Sequence, residues 1–149
     1  MIVLLYFDAS VTKKNKELFM KYANDSRGWG SMGVIFKEIG SIAKPCVTVF
    51  FKTNKELKKI FETVDTEFFK TQLEGLSVTD RTDPSDIKLY INVQNWNYPP
   101  PNGIVRELQL YREYLTQHEL GHAIGKDHPS KDLREFCHPM TQQSKPQRC

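Results

Sequence analysis

The chain has little of what marks several large protein classes. Three cysteines in 149 residues are too few for a disulfide scaffold, and their odd number leaves at least one without an intramolecular partner. Long apolar runs are missing. The most apolar uncharged stretch, IVLLYF at residues 2–7, falls far short of the roughly 20 residues a membrane-spanning helix needs. No membrane partner is therefore expected. A strong charge of one sign is missing too: 21 Lys and Arg stand against 18 Asp and Glu, a net +3. That is not the concentrated basic face of a nucleic-acid binder, and no nucleic-acid partner is expected. Lysines do cluster at Lys13, Lys14 and Lys16 and at Lys52, Lys55, Lys58 and Lys59, with apolar residues at helical spacing between them. Both clusters read as solvated helix faces. The opening residues, MIVLLYFDAS, lack the basic n-region and the apolar length of a secretory leader. The expectation is an intracellular protein or a chain without its leader.

What is present is ordinary for a globular protein: 39% hydrophobic and 26% charged residues. The length fits one domain, residues 1–149, able to bury roughly 68–70% of its unfolded surface. Short β-prone runs at residues 2–7, 33–39, 46–52, 76–79 and 87–93 read as strands. Amphipathic spacing predicts helices at 13–24 and 55–61, and a further one across 67–73. Residues 25–31 form a turn-rich loop, and Pro99, Pro100 and Pro101 make 95–103 a loop. One long helix is expected from about 104 to 124, ended by Gly125. The order is mixed α+β, with an irregular cap after the long helix.

On that helix lie His118, Glu119, His122 and, past Gly125, His128. Imidazoles four residues apart project from one helix face, and two such nitrogens can share a Zn²⁺ at about 2.0–2.1 Å. Glu119 is one step round and cannot comfortably be a ligand. It can reach a metal-activated water, where a carboxylate serves as general base. Gly125 lets the backbone leave helical geometry and bring His128 round as third ligand, leaving a fourth position open for water. Asp127 reads as a partner of a ligand imidazole, or as the third ligand should His128 point away. At this composition the five-position pattern arises by chance with a probability of roughly 10⁻⁵. No cysteine sits at ligand spacing near the two helical histidines, which disfavours a closed structural zinc site.

The residues from His118 to His128 resemble the zinc signature of the metzincin metalloproteases. Met140, within Cys137-His138-Pro139-Met140-Thr141, is then the candidate Met-turn residue beneath the zinc, and His138 a turn residue outside the metal's ligands. From about residue 24 onward the chain is also similar to an uncharacterised metzincin-like family best known from secreted actinobacterial proteins. That similarity runs through Asp25-Ser26-Arg27-Gly28-Trp29-Gly30, Tyr90-Ile91-Asn92 with Trp96, Tyr111-Arg112-Glu113-Tyr114 and Met140-Thr141-Gln142-Gln143. The chain departs from it in lacking a leader and in having Gln117 where Asn often precedes the first ligand.

The resemblance implies an α+β fold of zincin/metzincin type. A small twisted mixed sheet with packed helices and the active-site helix would occupy about 1–125, and a short irregular subdomain with the Met-turn about 126–149. It implies peptide-bond hydrolysis by one catalytic Zn²⁺ on a peptide or protein substrate, the substrate pairing with an edge strand, for which residues 76–79 are the candidate. A Cys137–Cys149 bridge is also suggested, since the relatives flank this methionine with cysteines. It would stabilise the domain by roughly 3 kcal/mol and would mark an oxidising destination; two free thiols are the alternative. Cys46 reads as a small buried apolar residue. Tyr111 and Tyr114 share the His118 face and read as packing against the sheet, with Tyr114 also able to donate to an oxyanion at the metal. Arg112 reads as an ion-pair partner of Glu107 or Glu113, and Trp29 and Trp96 as core or cleft wall. A non-proteolytic zinc-binding adaptor or inhibitor, or a zinc hydrolase of a non-peptide amide, would use the same ligands.

Overall fold

In the computed structural model, described here for residues 1–62, 77–99 and 107–126, five strands form one mixed sheet. They are β1 (Ile2–Phe7), β2 (Ile35–Ile39), β3 (Cys46–Lys52), β4 (Val78–Asp80) and β5 (Asp86–Asn92). The order across the sheet is β2-β1-β3-β5-β4. Strand β1 runs parallel to β2 and β3, and β3 parallel to β5, while β4 closes one edge antiparallel to β5.

Side-chain alternation assigns the two faces. Val3, Leu5 and Phe7 of β1, Val47, Val49 and Phe51 of β3 and Ile87, Leu89 and Ile91 of β5 all join one hydrophobic cluster. The register places Leu5 beside Val47 and Val49 beside Leu89, so these rows are continuous across the sheet. Phe50, Tyr90 and Val78 point the other way, onto Leu57 and Phe61. Helices on both faces explain why β3 is apolar almost throughout.

Four helices are seen among the described residues: α1 (Lys13–Ala23), α2 (Asn54–Phe61), α3 (Val93–Asn97) and α4 (Leu108–Ala123), with a 3₁₀ turn at Trp29–Met32. The first face of the sheet is covered by Phe19 and Tyr22 of α1, Trp96 of α3 and Tyr111, Tyr114, Leu115 and Leu120 of α4. Burying a side chain such as Phe19, which has no exposed surface, contributes about 1.5–3 kcal/mol. Helix α2 covers the second face and begins with a reciprocal capping box between Thr53 and Glu56. Lys13 and Lys14 of α1 and Lys55, Lys58 and Lys59 of α2 face solvent as their spacing implied, whereas Lys52 ends strand β3, half-buried beside Glu56, and is not on a helix face.

Several expected boundaries move. Strand β2 starts at Ile35 rather than residue 33, because Gly33 closes the 3₁₀ turn in the left-handed region, with φ +80°. The expected edge strand at 76–79 is Val78–Asp80, residue 76 lying outside the described residues. Residues 93–97 are helical, where residue 93 was expected to end a strand and 95 to open a loop. Asn92 leaves β5 extended and its side chain accepts from the backbone N–H groups of Gln94 and Asn95, and the first proline, Pro99, restricts itself and Tyr98, both past the helix. Helix α4 begins at Leu108, where the Glu107 carboxylate accepts from the N–H groups of Gln109 and Leu110. The expected helix at 67–73 and the C-terminal subdomain lie outside the described residues. No helix among the described residues is long and apolar enough to cross a membrane.

Candidate metal centre

The C-terminal half of α4 buries polar groups that need partners. Gln117, His118 and Glu119 are all buried in succession, and each would carry a desolvation penalty of a few kcal/mol if left unpaired. The surrounding chain satisfies them one by one.

Gln117 is clasped by the last turn of α1 and the loop after it. Its Oε1 accepts from the Trp29 backbone N–H at 3.1 Å and its Nε2 donates to the Tyr22 carbonyl at 2.6 Å. The Trp29 indole N–H donates to the Gln117 carbonyl at 2.7 Å. The fit needs glycine at 28, since a Cβ there would overlap the Gln117 amide. Gln117 thus does structural work directly before the first histidine, and Trp29 and Trp96 are core residues. On the same loop Arg27 bridges Asp25 and Glu113. That pairing holds the Asp25 carboxyl down at about 2. Arg112 does not pair with Glu107 or Glu113 as expected. Glu107 caps the helix and Glu113 takes Arg27, so the Arg112 guanidinium donates to the Trp96 carbonyl at 2.9 Å and lies over that indole.

His118 is 1% exposed. Its Nδ1 lies 3.3 Å from the Tyr114 hydroxyl, one turn earlier on α4. The His122 ring stands nearly perpendicular to it, at 87°, with 4.8 Å between centroids. His122 is half-buried, and its Nδ1 lies 2.9 Å from the Lys126 carbonyl. A carbonyl only accepts, so Nδ1 carries the ring proton in this contact. The Lys126 carbonyl arrives there because Gly125 takes φ +96°, a conformation that side chains with a Cβ rarely adopt.

Glu119, between the histidines in sequence, is also 1% exposed. The Thr79 hydroxyl on β4 lies 2.6 Å from its Oε2 and 3.0 Å from its backbone carbonyl. Burial, followed by the Glu119 negative charge, pushes the Tyr111 and Tyr114 phenols well above their usual range. Both phenols therefore keep their protons, and a phenol oxygen can accept from a ring N–H as well as donate.

The expected ligands His118 and His122 are therefore brought together, with Glu119 and Tyr114 against them. His128, Asp127, Met140, His138, Cys137 and Cys149 lie outside the described residues. Among the described residues, no group of three His, Cys, Asp or Glu side chains is placed to hold a metal. Cys46 is a buried free thiol, as expected. Thr79, Gly28 and the Lys126 carbonyl were not found from the sequence. Gly28 lay inside a noted motif, but no sequence signal joins Thr79 to a helix 40 residues later. No family model and no curated protein matches the chain.

Proposed function

We propose that the chain is a zinc-dependent metallopeptidase with a metzincin-like fold, hydrolysing peptide bonds with Glu119 as general base. The observation that carries this reading is the pair His118 and His122, perpendicular rings on successive turns of one helix, each with a partner at Nδ1. Histidines that bind metal through one nitrogen characteristically spend the other on such a partner. The donor set suits zinc: two neutral imidazoles, with His128 as the third ligand past the Gly125 turn. When bound, the metal supplies Lewis acidity to the scissile carbonyl and lowers the pKa of water.

The chain's own residues supply the rest. Glu119 takes the proton of the attacking water and passes it to the leaving amine. Its burial supports that role, because an apolar side chain would fill the same space without the desolvation penalty of a carboxylate. Tyr114 holds the His118 ring through Nδ1, which makes it a positioning residue in this reading. The resemblance implies Met140 as the Met-turn residue and a Cys137–Cys149 bridge, all three lying outside the described residues.

The test combines metal analysis with product mapping. The purified chain should hold about one zinc and cleave members of a diverse peptide library, with products read by mass spectrometry. A chelator should abolish cleavage, and Glu119→Gln should lower turnover by orders of magnitude while zinc is retained. An intact library beside a zinc-loaded chain would overturn the peptidase reading in favour of a non-peptide amide hydrolase or a zinc-binding adaptor. A chain that takes up no zinc would overturn the metal centre itself.

A further inference from the structure

The short edge strand β4 reaches the candidate centre through the Thr79 side chain. Thr79 reaches across to Glu119, with its hydroxyl 2.6 Å from Oε2 and 3.0 Å from the backbone carbonyl of the same residue. Both oxygens belong to Glu119 and share the one hydroxyl proton, the shorter contact being to Oε2, so Thr79 bears on that residue's side chain and main chain together. Asp80, next on the strand, accepts from the Thr82 backbone N–H and hydroxyl. Thr79 itself is fixed by its register opposite Leu89 of β5, and Leu89 is fully buried.

We propose that Thr79 is the positioning residue for Glu119, setting the plane of its carboxylate against the two histidines. The proposal rests on the reading of Glu119 as the general base. A carboxylate on a flexible two-carbon stem has several rotamers, and proton transfer needs heavy atoms within about 2.6–3.2 Å. Helix α4 fixes the Glu119 Cα, but a helix backbone does not set the outer torsions of a Glu side chain. A hydroxyl bonded to an ionised oxygen is among the stronger neutral-to-charged hydrogen bonds and is directional. Threonine suits the position twice over, because its branched Cβ favours a strand and limits the hydroxyl to few rotamers.

The test uses Thr79→Val, which keeps shape and β-branching but removes the hydroxyl, and Thr79→Ser, which keeps the hydroxyl. Each is prepared as the full chain loaded with zinc. Thr79→Val should lower kcat about 10–100-fold, the range for losing a partner that orients an active-site group, with KM and zinc content near those of the parent. Thr79→Ser should recover most of that loss. A second reading needs no turnover: infrared spectra of ¹³C-glutamate protein, with the Glu119 carboxylate band assigned as the one missing from Glu119→Gln. That band should shift in Thr79→Val and return in Thr79→Ser. An unshifted band in Thr79→Val overturns the proposal. So does an equal loss of kcat in both variants accompanied by a lowered Tm, which would make Thr79 a structural tie only. If the parent cleaves no peptide, the peptidase reading fails, and the band still decides whether Thr79 orients Glu119.

Discussion

His118 and His122 stand one turn apart on α4, yet different kinds of partner hold them. The His118 ring is buried, and what meets its Nδ1 is a side chain, the Tyr114 hydroxyl. The His122 ring is half-buried, near the end of the helix, and meets a backbone carbonyl delivered by the Gly125 turn. The difference follows from helix geometry. In mid-helix the carbonyls point along the axis into the i→i−4 ladder, away from a ring on the same helix, and the His118 ring is met by a side chain instead. Past the last turn the carbonyls are released, and a chain that reverses at glycine can offer one back. The first hold is broken by changing an atom, the second only by changing the path of the chain.

The largest effect should come from deleting a ring. His118→Ala and His122→Ala should each lose zinc, read by metal analysis after dialysis. They should differ in the metal-free protein. His118→Ala opens a cavity in the core and should cost about 2–5 kcal/mol by urea unfolding, whereas His122→Ala, nearer solvent, should cost clearly less. Equal losses would erase the distinction between the two turns.

Next in size is Gly125→Ala. A Cβ there meets nothing closer than Arg81 at 3.8 Å, so the cost is backbone strain alone, about 1–2 kcal/mol for a left-handed residue. The Lys126 carbonyl should also be drawn off His122, weakening zinc binding about 10–100-fold in a competition titration. Unchanged affinity would mean the turn does not orient the ring. Tyr114→Phe should act on the other ring with a smaller effect. It removes one hydroxyl and no volume, so affinity should fall about tenfold with Tm nearly unchanged. A large drop in Tm would show that the hydroxyl serves packing rather than His118.

The smallest effect is in acid and should spare both turns. Asp25 is held at about 2, against an ordinary 3.8, first by its hydrogen bonds from Arg27. A carboxylate whose folded pKa is depressed contributes stability above the unfolded value and loses it as the pH falls from about 4 to about 2. Arg27 also reaches Glu113, so this loss should loosen the loop against the N-terminal half of α4. Unfolding followed through that window should be less acid-sensitive in Asp25→Asn. The same slope in both proteins would show that the pairing contributes nothing there.

Much of the architecture was legible because its determinants are local. The β3 run CVTVFFK reads as a buried strand because apolar side chains on both faces require cover on both. Asn92 was read only as part of a strand and a similarity motif. Its second role, capping α3, turned an expected loop into helix. Arg112 was misassigned for a related reason. Two acidic neighbours on its own helix made an ion pair the natural reading, but Glu107 and Glu113 had been claimed by the helix end and by Arg27.

By itself the sequence determined the spacing of the two histidines and of Glu119 between them. Any α-helix places residues i and i+4 on one face, whatever surrounds it. It also determined where that helix ends, because Gly125 is tolerant of positive φ. The strand order and the partners were decided only in three dimensions. Thr79 meets Glu119 because β4 pairs with β5 at the sheet edge beside α4, and Gln117 meets Trp29 across 88 residues because α1 and α4 share one face of the sheet. Such contacts have no period to read along a chain. They exist only once the apolar rows of β1, β3 and β5 have been buried, since that burial is what brings α1, α4 and β4 to the same place.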